Sequence, residues 1–143
     1  QIASLTSAVA NGGTLFQPKI VGSLTHPTTK NKEETDAVAL VEHIASADHI
    51  TIVRQGMRDC VTYGSCRRIA YAGKDISGKT GTAEWHSERD THAWFTSFAP
   101  FNNPEITITV VVEEGGEGSN IPLSIAADFY QWWRIPRLVD NKD

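Results

Sequence analysis

Between Ile76 and Glu113 the chain carries three strand-like runs, Ile76 to Trp85, His92 to Ala99 and Glu105 to Glu113. Only short polar stretches, His86 to Asp90 and Pro100 to Pro104, separate them. Connections that short cannot hold the crossover that parallel neighbours need, so the runs must lie antiparallel in one sheet. A sheet has to bury at least one face, and the flanking sequence offers helices to cover it. Gln1 to Ala10 has apolar residues at helical spacing (Ile2, Leu5, Val9) and stops at Asn11-Gly12-Gly13. No capping residue precedes Gln1, so the natural start of this helix is expected to lie upstream of it.

Ser46 or Asp48 caps a helix running to about Thr62, with Ile50, Val53, Met57 and Val61 as its buried stripe, and Tyr63-Gly64-Ser65 ends it. A final helix begins with Pro122 as its first residue, shows Ile125, Phe129, Trp132 and Trp133 as its stripe, and stops at Pro136. Between the first two helices, Thr14 to Leu24 reads as an extended stretch into a strand and His26 to Glu34 as a polar loop. Ala37 to Ala45 reads as a short strand, with a helix as its rival. The expected fold class is α+β, an antiparallel sheet of at least three strands with flanking helices.

Composition narrows what such a domain does. With 143 residues, 40% hydrophobic and 21% charged, the chain has the size and make-up of one folded unit. A formal net charge of -4 and the lack of a basic cluster argue against nucleic acid as a partner. The apolar stretches fall short of the roughly 20 residues that cross a bilayer. Two cysteines and five histidines, none at metal-ligand spacing, imply no metal and no other cofactor.

The most informative stretch is Lys79-Thr80-Gly81-Thr82. Lys-Ser/Thr-Gly alone turns up by chance in roughly one chain in twenty of this length, so its placement on a strand matters more than the pattern. A strand alternates its side chains, which puts Thr80, Thr82 and Glu84 on one face and Lys79 on the other. Two hydroxyls at that spacing suit one carboxylate. Gly81 leaves room for a ligand backbone to lie close, and Lys79 adds positive potential for an anionic substrate and a hydroxyl relay.

With this element in view, the sequence resembles the serine acyltransferases that share it, the penicillin-binding proteins and serine β-lactamases. The runs SGKTGTAEW and THAWFTSFAPFNNPEITITVVVEEGGEGSNIP are similar to the end of the class B penicillin-binding proteins of the elongation and division type. QIASLTSAVANGGTLFQPKIV resembles their segment before the lysine signature. The resemblance covers about two-thirds of the chain; Thr25 to Ser46 and the tail from Arg134 add nothing to it.

The resemblance implies that residues 1–143 are the C-terminal portion of one transpeptidase domain of the penicillin-binding protein and β-lactamase type. The substrate would be a peptidoglycan stem peptide ending in D-Ala-D-Ala, with β-lactams as suicide acylators. The whole protein would be membrane-anchored and extracytoplasmic, in the periplasm or on the outer face of the cytoplasmic membrane. Lys79 and Thr82 would take catalytic roles, and Thr80, Gly81, Thr82 and Glu84 would bind substrate. The Thr82 backbone N–H would supply half of an oxyanion hole, a donor whose loss in other enzymes costs about 3 kcal/mol. Glu84 stands where similar proteins often have glutamine; it either repels an anionic β-lactam or is a solvated strand-end charge.

The family's Ser-x-x-Lys and Ser-x-Asn signatures are absent, since no serine here has a lysine three residues on or an asparagine two residues on. The chain alone is therefore expected to be inactive. A non-catalytic β-lactam sensor and a serine β-lactamase are the alternative readings. Cys60 and Cys66 flank a helix end and a tight turn, close enough for a disulfide, which the implied compartment permits and the sequence leaves open. The strand at Glu105 to Glu113 is expected to be a sheet edge that takes up either the missing N-terminal half of the domain or a second copy of the chain.

Overall fold

The computed structural model describes residues 1–73 and 75–140, with side chains described up to residue 134. Helix α1 (Ile2–Ala10) leads into a ribbon of four short strands, β1 (Leu15–Phe16), β2 (Ser23–Thr25), β3 (Lys32–Glu34) and β4 (Ala39–Val41). Helix α2 (Ala47–Thr62) and a 3-10 helix (Arg67–Ala72) follow. The central sheet is β5 (Ser77–Ala83), β6 (His92–Ala99) and β7 (Ile106–Val112), and α3 (Ile121–Asp140) closes the chain.

The three long strands pair antiparallel in the order β5-β6-β7, as their short connections require. In this register Thr80 stands opposite Phe95, which stands opposite Val110. Gly78, Thr80 and Thr82 therefore share a face with Ala93, Phe95 and Ser97 and with Ile106, Ile108 and Val110. Against that face pack the 3-10 helix and α3, in a core built from Cys66, Ile69, Ile76, Phe95, Leu123, Ala126 and Tyr130.

The opposite face is more polar. Thr6 of α1 meets Thr96 of β6 at 2.7 Å, Thr96 meets Thr109 of β7 at 2.7 Å, and Ser7 meets Thr107 at 2.9 Å. Hydroxyls buried in this way must pair with one another, which fixes the sliding position of α1 on the sheet. A smaller cluster of Ala10, Met57 and Phe98 completes this layer. Arg54 of α2 closes it, stacked over Phe98 and Phe101 at 5.5 Å each and donating to the Ala10 carbonyl at 2.7 Å and to that of Phe101.

Several local expectations are corrected. The stretch read as a loop, His26 to Glu34, is a turn followed by β3, which pairs with β2 as β4 does with β1. Its Lys32, Glu33 and Glu34 are exposed on a two-stranded ribbon, where no face is buried and strand residues need not alternate in polarity. In α2 the Ser46 hydroxyl accepts from the His49 N–H at 3.3 Å, and Ile50, Met57 and Val61 are buried, but Val53 is exposed. The neighbouring Arg54 is the residue that turns inward.

In α3 three of the four residues of the expected stripe lie on the wrong side, while the fourth, Trp133, is half-buried and packs against the core. Ile125, Phe129 and Trp132 are exposed, whereas Leu123, Ala126, Ala127 and Tyr130 are buried. This helix has two apolar faces, and the one with small alanines approaches the sheet more closely. Periodicity weighs residue size in the other direction. Pro122 is the second residue of α3, and Pro136 does not stop it: the helix runs on to Asp140. A proline removes one ladder bond and kinks a helix, without obliging it to end there.

Candidate functional site

Strand β5 lies at one side of the sheet, so among the described residues its outer edge has no strand partner. Threonine favours such a strand because a β-branched side chain fits the pleated surface. Thr80 is half-buried and Thr82 exposed, on the face shared with Phe95, while Lys79 points to the Trp94 and Thr96 face. The Lys79 ammonium donates to the carbonyl of Thr80 at 2.6 Å, and among the described residues it makes no ion pair. Its charge is thus free to act on an anion brought to this edge.

Both threonine hydroxyls are already engaged by neighbours. Thr80 Oγ1 lies 2.8 Å from the hydroxyl of Ser65, in the turn after α2. Thr82 Oγ1 accepts from the backbone N–H of Gly118 at 3.4 Å. Gly118 sits so close to the ladder that a Cβ on it would come within 2.2 Å of the Gly81 carbonyl oxygen, a space only glycine can occupy. The loop after β7 therefore lies directly against β5. On the Trp94 face, a Cβ on Gly81 would stand 3.2 Å from the Trp94 Cβ, so part of the room that Gly81 leaves is used within the fold.

Glu84 is exposed and lies one residue beyond the end of β5, outside the ladder that holds Thr80 and Thr82. Cys60 and Cys66 are joined by a disulfide, with their Cα atoms 5.0 Å apart. Ser65 lies between them, its hydroxyl 3.4 Å from the Cys60 Sγ. Among the described residues no group of three or more histidine, cysteine, aspartate or glutamate side chains is gathered as a metal site.

The aromatic candidates separate. Phe95 is core, Trp94 is half-buried, and Trp85 is exposed beyond β5. Trp85 stacks on His92 at 5.1 Å under the Arg89 guanidinium, also at 5.1 Å, and donates its indole N–H to the Asp90 carbonyl at 3.1 Å. The tip of the β5–β6 hairpin is thus an organised cluster. Two participants around Thr80 and Thr82 were not legible as such in the sequence, Ser65 and Gly118. The signals were there only indirectly, in the closely spaced cysteines and in the glycine-rich Gly115 to Gly118.

Residues 1–131 match the penicillin-binding protein transpeptidase domain family. The chain belongs to that family. Among curated proteins it is 34% identical over 126 residues to the peptidoglycan D,D-transpeptidase PbpA of Mycolicibacterium smegmatis, covering 82% of this chain and 24% of the relative. To the peptidoglycan D,D-transpeptidase MrdA of Haemophilus influenzae it is 26% identical over 166 residues, covering 96% of this chain and 24% of the relative. The chain thus spans about a quarter of the length of the relatives it matches.

Solved transpeptidase domains of the family share its fold. The D,D-transpeptidase domain of a peptidoglycan glycosyltransferase from Eggerthella lenta superposes with a TM-score of 0.76 at 27% identity, over 90% of this chain and 30% of that one. Penicillin-binding protein A from Mycobacterium tuberculosis, in an imipenem acyl-enzyme complex, gives 0.72 at 28% identity, over 91% of this chain and 29% of that one. These matches agree with the class B penicillin-binding protein resemblance and with the α+β fold class read from the sequence.

Proposed function

We propose that this chain is the C-terminal portion of a serine D,D-transpeptidase domain that cross-links peptidoglycan stem peptides and is acylated by β-lactams. The observation that carries this is the pair of threonine hydroxyls on the open edge of β5, beside a lysine with no ion-pair partner among the described residues. Thr80 and Thr82 take the terminal carboxylate of a peptide ending in D-Ala-D-Ala, or that of a penicillin. Lys79 holds positive charge behind the reacting centre, and the Thr82 backbone N–H donates to the oxyanion. Gly81 keeps the strand narrow. Glu84, exposed beyond the end of β5, either repels an anionic β-lactam or is a solvated strand-end charge.

The nucleophilic serine and its lysine base, which no Ser-x-x-Lys in this sequence supplies, come from residues that precede it in the whole protein. The serine hydroxyl attacks the penultimate D-Ala carbonyl carbon, the peptide bond to the terminal D-Ala breaks, and the leaving amine takes up a proton. An amine of a second stem peptide then takes the acyl group from the serine. This chain by itself is inactive, and its physical partner is the preceding half of the domain or, in its absence, a second copy through Glu105 to Glu113. A membrane-anchored, extracytoplasmic location suits both the substrate and the Cys60–Cys66 disulfide, which persists in oxidising compartments.

The test is acylation of the whole protein by a fluorescent penicillin. Thr82→Val should slow acylation by about tenfold, the loss of one hydrogen bond to a charged group, and leave the melting temperature little changed. A variant acylated at the wild-type rate would refute the carboxylate role of Thr82.

A further inference from the structure

Resting on the function proposed above, we infer that Ser65 is a positioning residue for the substrate carboxylate, acting through Thr80 from a turn clamped by the Cys60–Cys66 disulfide. The geometry is a short line of hydroxyls. Ser65 Oγ is 2.8 Å from Thr80 Oγ1, and Ser65 itself is exposed.

A hydroxyl has one proton and two acceptor sites, so which partner donates decides what the pair can do. If Thr80 donates to Ser65, it has nothing left for a carboxylate. If Ser65 donates, Thr80 keeps its proton for the anion and becomes a better donor through the cooperativity of linked hydrogen bonds. The surroundings of Ser65 let the pair change from the first arrangement to the second when an anion arrives. The sulfur of Cys60, 3.4 Å from Ser65 Oγ, is in a disulfide and has no proton, so it can only accept. Without a ligand Ser65 gives its one proton to that sulfur and accepts from Thr80; sulfur is a weak acceptor, so an anion that claims the Thr80 proton lets Ser65 turn its own proton to Thr80. Thr82 stands in the matching state, its oxygen accepting from the Gly118 N–H and its own proton free. Both threonines then present protons to one anion.

The turn is built to hold Ser65 still. The Cys66 N–H donates to the Cys60 carbonyl at 3.0 Å and the Gly64 N–H to the Asp59 carbonyl at 3.1 Å. A Cβ on Gly64 would come within 2.8 Å of the Cys60 Cα, so the chain passes where no side chain fits. Cys66 is fully buried beneath the turn in the core that also holds Phe95. A serine free to rotate away would lose its benefit to entropy, and here the backbone on both sides of it is fixed.

The experiment compares acylation rate constants of the whole protein with benzylpenicillin and with its carboxyl methyl ester, which keeps the reactive ring and lacks the charge. Their ratio isolates carboxylate recognition from folding and from the acylation step. Ser65→Ala should lower the ratio by about fivefold, the size of one net hydrogen bond, and Ser65→Thr should restore it. In a Thr80→Val background Ser65→Ala should change the ratio no further, because its effect passes through Thr80. An unchanged ratio in Ser65→Ala, or an equal loss with both probes, overturns the inference while the transpeptidase function stands. A wild-type protein that neither probe acylates overturns the function and the inference with it.

Discussion

Tyr130 is the side chain on which α3 and the sheet close most completely. Its ring is buried against the β6 face and its hydroxyl meets that of Ser97 at 3.0 Å. Burial pushes the phenol up from 10.0 to about 12, against the weaker opposing effect of the hydrogen bond with Ser97. The raised value means that the unfolded chain releases this proton first. The stability contributed by the neutral phenol is therefore complete below pH 10.0 and is lost as pH rises to about 12. At 1.36 kcal/mol per unit this amounts to about 2 to 3 kcal/mol. Urea unfolding followed from pH 9 upward should show this loss in the wild type and not in Tyr130→Phe. The variant should start about 1 to 2 kcal/mol lower at neutral pH, because Ser97 is left buried without its partner. Parallel pH profiles for the two proteins would refute the assignment. That Tyr130 should hold this place was hidden in the sequence, where Phe129 and Trp132 look equally fit for burial.

At the scale of elements, what was legible followed from short-range physics. Two brief polar turns dictated three antiparallel strands, and Ser46 and Asn11-Gly12-Gly13 marked helix ends because capping is local chemistry. The face buried by α3 and the pairing of β2 with β3 were not legible, because each depends on what the element meets across the fold. The row of Thr80 and Thr82 could be read from strand alternation alone, whereas Ser65 and Gly118 reach it through turns that no periodicity describes. The turn after α2 yields its own prediction. Its disulfide closes a loop of sequence separation 6, and in the chain-entropy view such a loop stabilises the fold by about 2 kcal/mol. Because Cys66 is buried, Cys→Ala at both positions adds a packing loss, so Cys60→Ala with Cys66→Val is the cleaner comparison. The unfolding free energy should fall by that amount in the variant, and a reducing agent should lower that of the wild type and leave the variant unmoved. A wild type insensitive to the reducing agent would show that the bridge contributes nothing to folding.

The whole molecule is a sheet covered on both faces and open at both edges among the described residues. β5 lies at one edge, where the substrate carboxylate is proposed to bind, and β7 lies at the other. β7 has Ile106, Ile108 and Val110 toward α3 and Thr107, Thr109 and Val111 toward α1, with no proline and no charge inside the strand. A groove of about 430 Å³ runs beside it, lined by Ala3, Ser7, Phe16, Pro18, Ile106 and Thr107. An apolar strand with unpaired backbone groups and a groove alongside is a template for another strand. In the whole protein we expect the preceding half of the domain to supply that strand. In the isolated chain a second copy should take its place, giving association that rises with concentration and amide protection along Ile106 to Val112 that rises with it. Val111→Lys, at an exposed position of this edge, should abolish the association without unfolding the chain, because a charged side chain blocks edge pairing at little cost to the monomer. Sedimentation is the measurement. A monomer at every concentration, with fast exchange throughout β7, would mean that the edge is protected in another way and that the missing strand belongs elsewhere in the sheet.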